Sequence, residues 1–302
     1  MNIDHNGLRI EYESDGDETA PAVVLTMGLG MQLTAWPTSL VQAIVQAGYR
    51  VIRFDNRDVG LSSQLDHLGV PNIGWQLVRS RLGLAIRSPY GLQDMAHDAI
   101  GLLDALGVQR AHLVGVSMGG MISQRIAATA PGRVLSLTSV MSSSGAPGLP
   151  GPRADVTRAL LKRPRSRRPE HVAAHALNMF RLIGSPAFPQ DMPAFEQRVL
   201  ADAVRSHRPD GVARQLLAVA SDTGRHTVLK GITCPTLVLH GTADPLVPIA
   251  CGRDTAARIP DARFEAIDGM GHDWPPGVAT LLARHIVPHI QAAQAGPTTI
   301  PT

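Results

Sequence analysis

Several things are scarce in this 302-residue sequence. Aromatic residues make up 4% of it, too few for a base-stacking nucleic-acid platform. Lysine occurs only at Lys162 and Lys230, so 26 of the 28 basic residues are arginine. That imbalance is what a GC-rich genome produces, and a net charge of +3 does not call for a polyanion partner. The two cysteines, Cys234 and Cys251, stand in separate segments with no CxxC and no metal-ligand spacing. They form no disulfide framework and read as reduced thiols. No apolar run approaches the ~20 residues of a membrane span. The opening stretch MNIDHNGLRIEYESDGDE has neither the basic region nor the apolar run of a signal peptide. A cytoplasmic chain is expected, monomer or homodimer, with no nucleic-acid partner and no stable membrane insertion.

What is present is a core. Hydrophobic residues make up 44% and charged residues 18%, as in ordinary globular domains. Short apolar runs alternate with helical patterns. Leu8 to Glu13 alternates like an edge strand, and further strands are predicted at 22–26, 50–54, 111–116, 134–140, 236–240 and 263–267. Helical spacing appears at 40–46 and 92–106, where Met95, Ala99, Leu102, Leu103 and Leu106 fall on one stripe. Such βαβ alternation predicts an α/β fold with a mostly parallel sheet flanked by helices. Ligands then bind beyond the carboxyl ends of the strands.

The alternation breaks at 142–152 (SSSGAPGLPGP), a linker composition. About four helical patterns follow before Thr236, one carrying Val172, Ala176, Met179, Phe180 and Ile183 on one face. Residues 146–227 are therefore predicted as a helical cap inserted into a core of residues 1–145 and 228–295, with a disordered tail at 296–302. A second extra segment, Leu68 to Ser88, places Trp75, Val78, Leu82 and Ala85 at helical spacing. Packing against the cap is expected of it, with a lid or interfacial helix as the alternative. His171 and His175, four apart, lack the Glu and third ligand of a metal site. The basic run 153–168 reads as a solvated cap surface.

One constellation carries chemistry. Gly115-Val116-Ser117-Met118-Gly119 follows an apolar strand and precedes an apolar helix, the setting of a nucleophile elbow. A serine nucleophile needs a base and an orienting acid, in the chain order Ser, acid, His. Asp244 follows the strand TLVLH, and His272 follows the last strand in the loop GMGHDW. Two backbone amides must face the developing oxyanion: Met118, next to the nucleophile, and Leu29, in the loop after the strand AVVLT. Gly28, Met27, Met179, Leu246 and Trp274 are candidates to line the substrate pocket. No metal or organic cofactor is required.

With these motifs, and with RFDNRDVGLSS at 53–63 and HGTADPLVP at 240–248, the chain resembles the α/β-hydrolase superfamily. Within it, the chain is most similar to bacterial serine esterases of the aclacinomycin methylesterase kind. The resemblance covers nearly everything except the 68–88 segment and the cap. It implies Ser117 as nucleophile, Asp244 as acid, His272 as base, Leu29 and Met118 as oxyanion donors, and ester cleavage through an acyl-enzyme. Met27 stands where many relatives have His. The same triad would also serve a cofactor-free perhydrolase, a lactone or C–C bond hydrolase, or a hydroxynitrile lyase. A ligand receptor on the same scaffold is the non-enzymatic alternative.

Overall fold

Five buried residues in a row at Ala22–Thr26 and six at Ala111–Val116 need cover on both faces, which only central strands of a parallel sheet receive. The computed structural model, which describes residues 1–295 except Asn6 and Pro71, gives them that place. Eight strands form one sheet: β1 (Asn2–His5), β2 (Leu8–Asp15), β3 (Ala22–Thr26), β4 (Arg50–Phe54), β5 (Ala111–Val116), β6 (Val134–Val140), β7 (Thr236–Gly241) and β8 (Arg263–Ile267). Their order is β1-β2-β4-β3-β5-β6-β7-β8. All pairs from β4 to β8 are parallel, while β1–β2 and β2–β4 are antiparallel. The Leu8–Glu13 strand is thus not the edge. A polar strand, β1, pairs outside it through a tight turn at Gly7 (φ 76°).

Side chains alternate across the sheet with the period of two that strands impose. Val23 and Leu25 enter one core layer with α1 (Thr38–Gln46) and a long C-terminal helix, Pro276–Ala295. Ala22 and Val24 enter the other layer with α3 (Leu92–Ala105) and α4 (Met118–Thr129).

Between β6 and β7 run five helices: α5 (Ala154–Leu160), α6 (Pro169–Ile183), α7 (Met192–Arg205), α8 (Pro209–Ser221) and α9 (Arg225–Val228). Their own buried apolar cluster is small: Ala173, Phe195 and Val199, with Phe180 edge-on to Phe195 at 5.0 Å between ring centroids. Helix α8 goes deeper. Ala218 joins the main core, and Arg214 and Gln215 are fully buried.

The 68–88 segment departs from expectation. It forms a helix, α2 (Ile73–Arg81), but Trp75, Val78, Leu82 and Ala85 are all exposed rather than packed against the cap. The reason is that α2 makes its ties to its own return path. Gln76 Oε1 accepts from the Arg87 amide at 2.9 Å, and Arg79 donates to the Ala85 carbonyl. The apolar stripe is left facing outward.

Candidate active site

Ser117 joins β5 to α4 with φ 53° and ψ −119°. Positive φ is rare outside glycine and such strain costs about 1–3 kcal/mol, so the surroundings must enforce it. The Ser117 amide donates to the Val140 carbonyl at 2.9 Å, and Ser142 Oγ donates to the Ser117 carbonyl at 2.7 Å; both clamps come from β6 and its end. The flanking glycines answer to close approaches. A Cβ on Gly115 would lie 2.3 Å from the Gly119 carbonyl oxygen, and one on Gly119 would lie 2.0 Å from that of Thr26. The hydroxyl is half-buried and, among the described residues, has no hydrogen-bond partner.

The loop after β3 lies against this serine, because a Cβ on Gly28 would stand 3.2 Å from Ser117 Cβ. Among the described residues, the amides of Leu29 and Met118 have no acceptor. Met118 is also the first residue of α4, where orphan amides and the helix dipole favour negative charge. The loop is tied down on every side. Asn56 donates to the Met27 carbonyl at 3.1 Å, Gln215 accepts from the Gly30 amide at 2.9 Å, and Asp55 accepts from the Leu33 amide at 2.8 Å. Arg205 donates to both Asp55 and Gln32, and Gln32 donates to the Asp202 carbonyl at 2.7 Å.

Asp244 and His272 come together from the loops after β7 and β8. Asp244 Oδ1 accepts from the amides of Leu246 and Val247 at 2.9 and 2.8 Å. Its Oδ2 lies 2.7 Å from His272 Nδ1. A carboxylate can only accept, so Nδ1 carries the proton and Nε2 is left as the basic nitrogen. The acid side chain is fully buried. The His272 amide in turn donates to the Ile183 carbonyl at the end of α6 at 2.6 Å. The Gly271 amide donates to Ser185 Oγ at 2.8 Å, which donates to Asp273 at 2.5 Å. Burial raises the Asp273 carboxyl above its ordinary value, against the lowering bonds from Ser185. No hydrogen bond joins Ser117 to His272, although both stand at the carboxyl edge of the sheet; such contacts are commonly loose in unliganded enzymes.

Among the described residues, cavities of about 120 and 300 Å³ open between the helices that follow β6 and the rest of the fold. Neither is lined by Ser117, Asp244 or His272. The smaller is bounded by Gly30, Met31, Ala176, Phe180 and Phe195. The larger is bounded by Trp274, Pro37, Phe195 and Arg198. Of the pocket candidates, Gly28 faces the serine and Trp274 lines the larger cavity. Met179 and Leu246 are half-buried and line neither. Met27 must be corrected: it is fully buried in the core layer with Leu40 and Leu282, because the run of buried residues in β3 continues past its last paired position.

Sequence reasoning missed the residues that hold the loops. Gln215 and Arg214 lay in a helical pattern without a role. Asp55 and Asp58 lay in a motif noted only for its resemblance. Gly60 (φ 58°) gives the reason for part of that motif, since a Cβ there would be 2.0 Å from Asp55 Oδ2. His240 was also missed. Its Nε2 donates to the Val247 carbonyl at 2.7 Å, bracing the turn that carries Asp244, and burial lowers its pKa so that the ring is held neutral. Among the described residues, no group of three or more His, Cys, Asp or Glu could hold a metal ion.

Residues 21–274 match the family model of the alpha/beta hydrolase fold. The chain belongs to this family. Among α/β-hydrolase relatives, the rhodomycin D methylesterase of Streptomyces sp. strain C5 is 31% identical, over 93% of this chain and 94% of its own length. That of Streptomyces peucetius is 31% identical, over 96% and 98%. The enol-lactonase from Burkholderia xenovorans LB400 superposes with a TM-score of 0.74 at 24% identity, covering 97% of this α/β-hydrolase and 100% of that chain; at that identity the likeness speaks for the fold alone.

Proposed function

We propose that this carboxylic ester hydrolase cleaves small to medium apolar esters through an acyl-enzyme on Ser117. The observation that carries the reading is the 2.7 Å bond between buried Asp244 and His272 Nδ1, which fixes the tautomer a general base needs. His272 Nε2 takes the Ser117 proton as Oγ attacks the ester carbonyl. The amides of Leu29 and Met118 receive the oxyanion, a contribution that commonly exceeds any other single term. The imidazolium then protonates the leaving alcohol. In the second half, Nε2 deprotonates water, which attacks the acyl carbonyl, and the proton returns to Ser117 Oγ. Residues 146–227 act as the cap in this reading, over a core of 1–145 and 228–295.

A panel of p-nitrophenyl and methyl esters tests this on wild type and Ser117→Ala. The variant is expected to lose about 10⁴-fold or more in kcat while keeping its melting temperature. Undiminished turnover by the variant would sink the mechanism.

A further inference from the structure

Helix α2 and its flanks turn an apolar face to solvent that none of the described residues covers. Trp75 is 56% exposed, Val78 43% and Leu82 68%, and their spacing puts all three on one side of α2. Val70, Leu77 and Leu84 extend the exposed apolar surface around and beyond the helix. Single exposed leucines need no explanation, but a contiguous patch of this kind marks an interaction site.

Charge narrows what can sit there. From residue 67 to 93 there is no Asp or Glu, and the arginines are Arg79, Arg81 and Arg87. Arg79 is engaged with the Ala85 carbonyl. Arg81 and Arg87 are exposed and, among the described residues, enter no salt bridge. The segment's root is held firmly. Arg214 donates to the Gly69 carbonyl at 2.9 Å, and Tyr90, just past the segment, is buried and donates to Asp58 at 2.8 Å. The chain that leads to α2 leaves the carboxyl end of β4, on the same edge of the sheet as Ser117.

We propose that α2 and its flanks dock the protein onto an anionic lipid surface. A convex helix with Trp and Leu on one side and unpaired arginines beside them fits the interface of a bilayer, where apolar side chains enter the acyl boundary and basic ones meet anionic headgroups. A second copy of the chain fits worse, since two such faces would bring arginines against arginines. Docking of this kind is peripheral and agrees with the finding that no described helix is long and apolar enough to cross a membrane. It is independent of the triad.

The test is co-sedimentation of the full chain with phosphatidylglycerol-containing vesicles and with pure phosphatidylcholine vesicles, read together with tryptophan emission. Binding to the anionic vesicles and a blue shift are expected, because Trp75 is the exposed one of the three tryptophans, with Trp36 buried and Trp274 half-buried. Added salt weakens the binding. Arg81→Ser with Arg87→Ser reduces partitioning about 25-fold, and Trp75→Ser with Leu82→Ser abolishes the blue shift. Both double variants keep the wild-type melting temperature. No binding to anionic vesicles, equal binding by the variants, or a dimer in light scattering that Trp75→Ser with Leu82→Ser dissolves would each overturn the proposal.

Discussion

Two segments interrupt the α/β alternation, and they are held in opposite ways. The helices between β6 and β7 bury few apolar side chains of their own but reach the core through charge. Arg214 makes a two-pronged pair with Asp58, at 2.8 and 2.7 Å, and Arg205 meets Asp55. The 68–88 segment is rich in apolar residues and leaves most of them in solvent. Apolar content therefore does not decide which insertion is packed; the availability of a partner does. A buried ion pair is not an efficient source of stability, yet it is geometrically demanding. It suits an element that ties down the loop after β3 through hydrogen bonds.

The sharpest way to break this contrast is Asp58→Asn, which removes the buried carboxylate and leaves Arg214 only the exposed Asp66 as an anionic partner. A loss of about 3–5 kcal/mol is expected from urea unfolding. The same variant tests the pH dependence. Burial pushes the Asp58 carboxyl up, but the bonds from Arg214, the Leu65 amide and Tyr90 outweigh it and hold its pKa below the ordinary 3.8. The stability it contributes is fully present above 3.8 and is lost as pH falls below that value through the folded pKa. The gap between wild type and Asp58→Asn should accordingly stay constant from neutral pH down to that point and close below it.

A smaller effect is expected at Gln215. Gln215→Met removes the acceptor of the Gly30 amide with little change in volume, and kcat on a soluble ester should fall about tenfold to a hundredfold. Gln215→Glu keeps the acceptor oxygen but loses the donor to the Arg57 carbonyl, so it should restore only part of it. An equal loss in both would point to packing rather than positioning. Smallest of all is the other side of the comparison. Trp75→Ser with Leu82→Ser should move unfolding free energy by no more than about 0.5 kcal/mol in lipid-free buffer; a larger loss would mean that α2 is packed after all.

These contrasts also explain what could be read from sequence. The sheet was legible because buried parallel strands write themselves as continuous apolar runs, and the turn at Ser117 because Gly115 and Gly119 cannot carry a Cβ. The meeting of Asp244 with His272 was legible because each stands in the loop that follows its strand. Gln215 was not, since its partner Gly30 lies 185 residues away and a single long-range hydrogen bond leaves no periodicity. Arg214 and Asp58, 156 residues apart, are invisible for the same reason. The fate of α2 was misjudged because helical spacing of Trp75, Val78 and Leu82 shows that a face exists and says nothing of what lies opposite. Met27 was misjudged because a loop residue beside glycines can still complete the core layer beneath it.

Trp274 sits two residues after His272 and stacks on Trp36 with ring centroids 5.0 Å apart, while also walling the larger cavity beneath the inserted helices. Two indoles this close couple their electronic transitions, so the pair is a chiral chromophore built into the rim of the site. Its near-ultraviolet circular dichroism reports the relative orientation of the two rings, with no label attached. Trp75, far more exposed, answers in emission instead. The molecule thus carries separate optical channels for events at the loop of His272 and events at its outer surface.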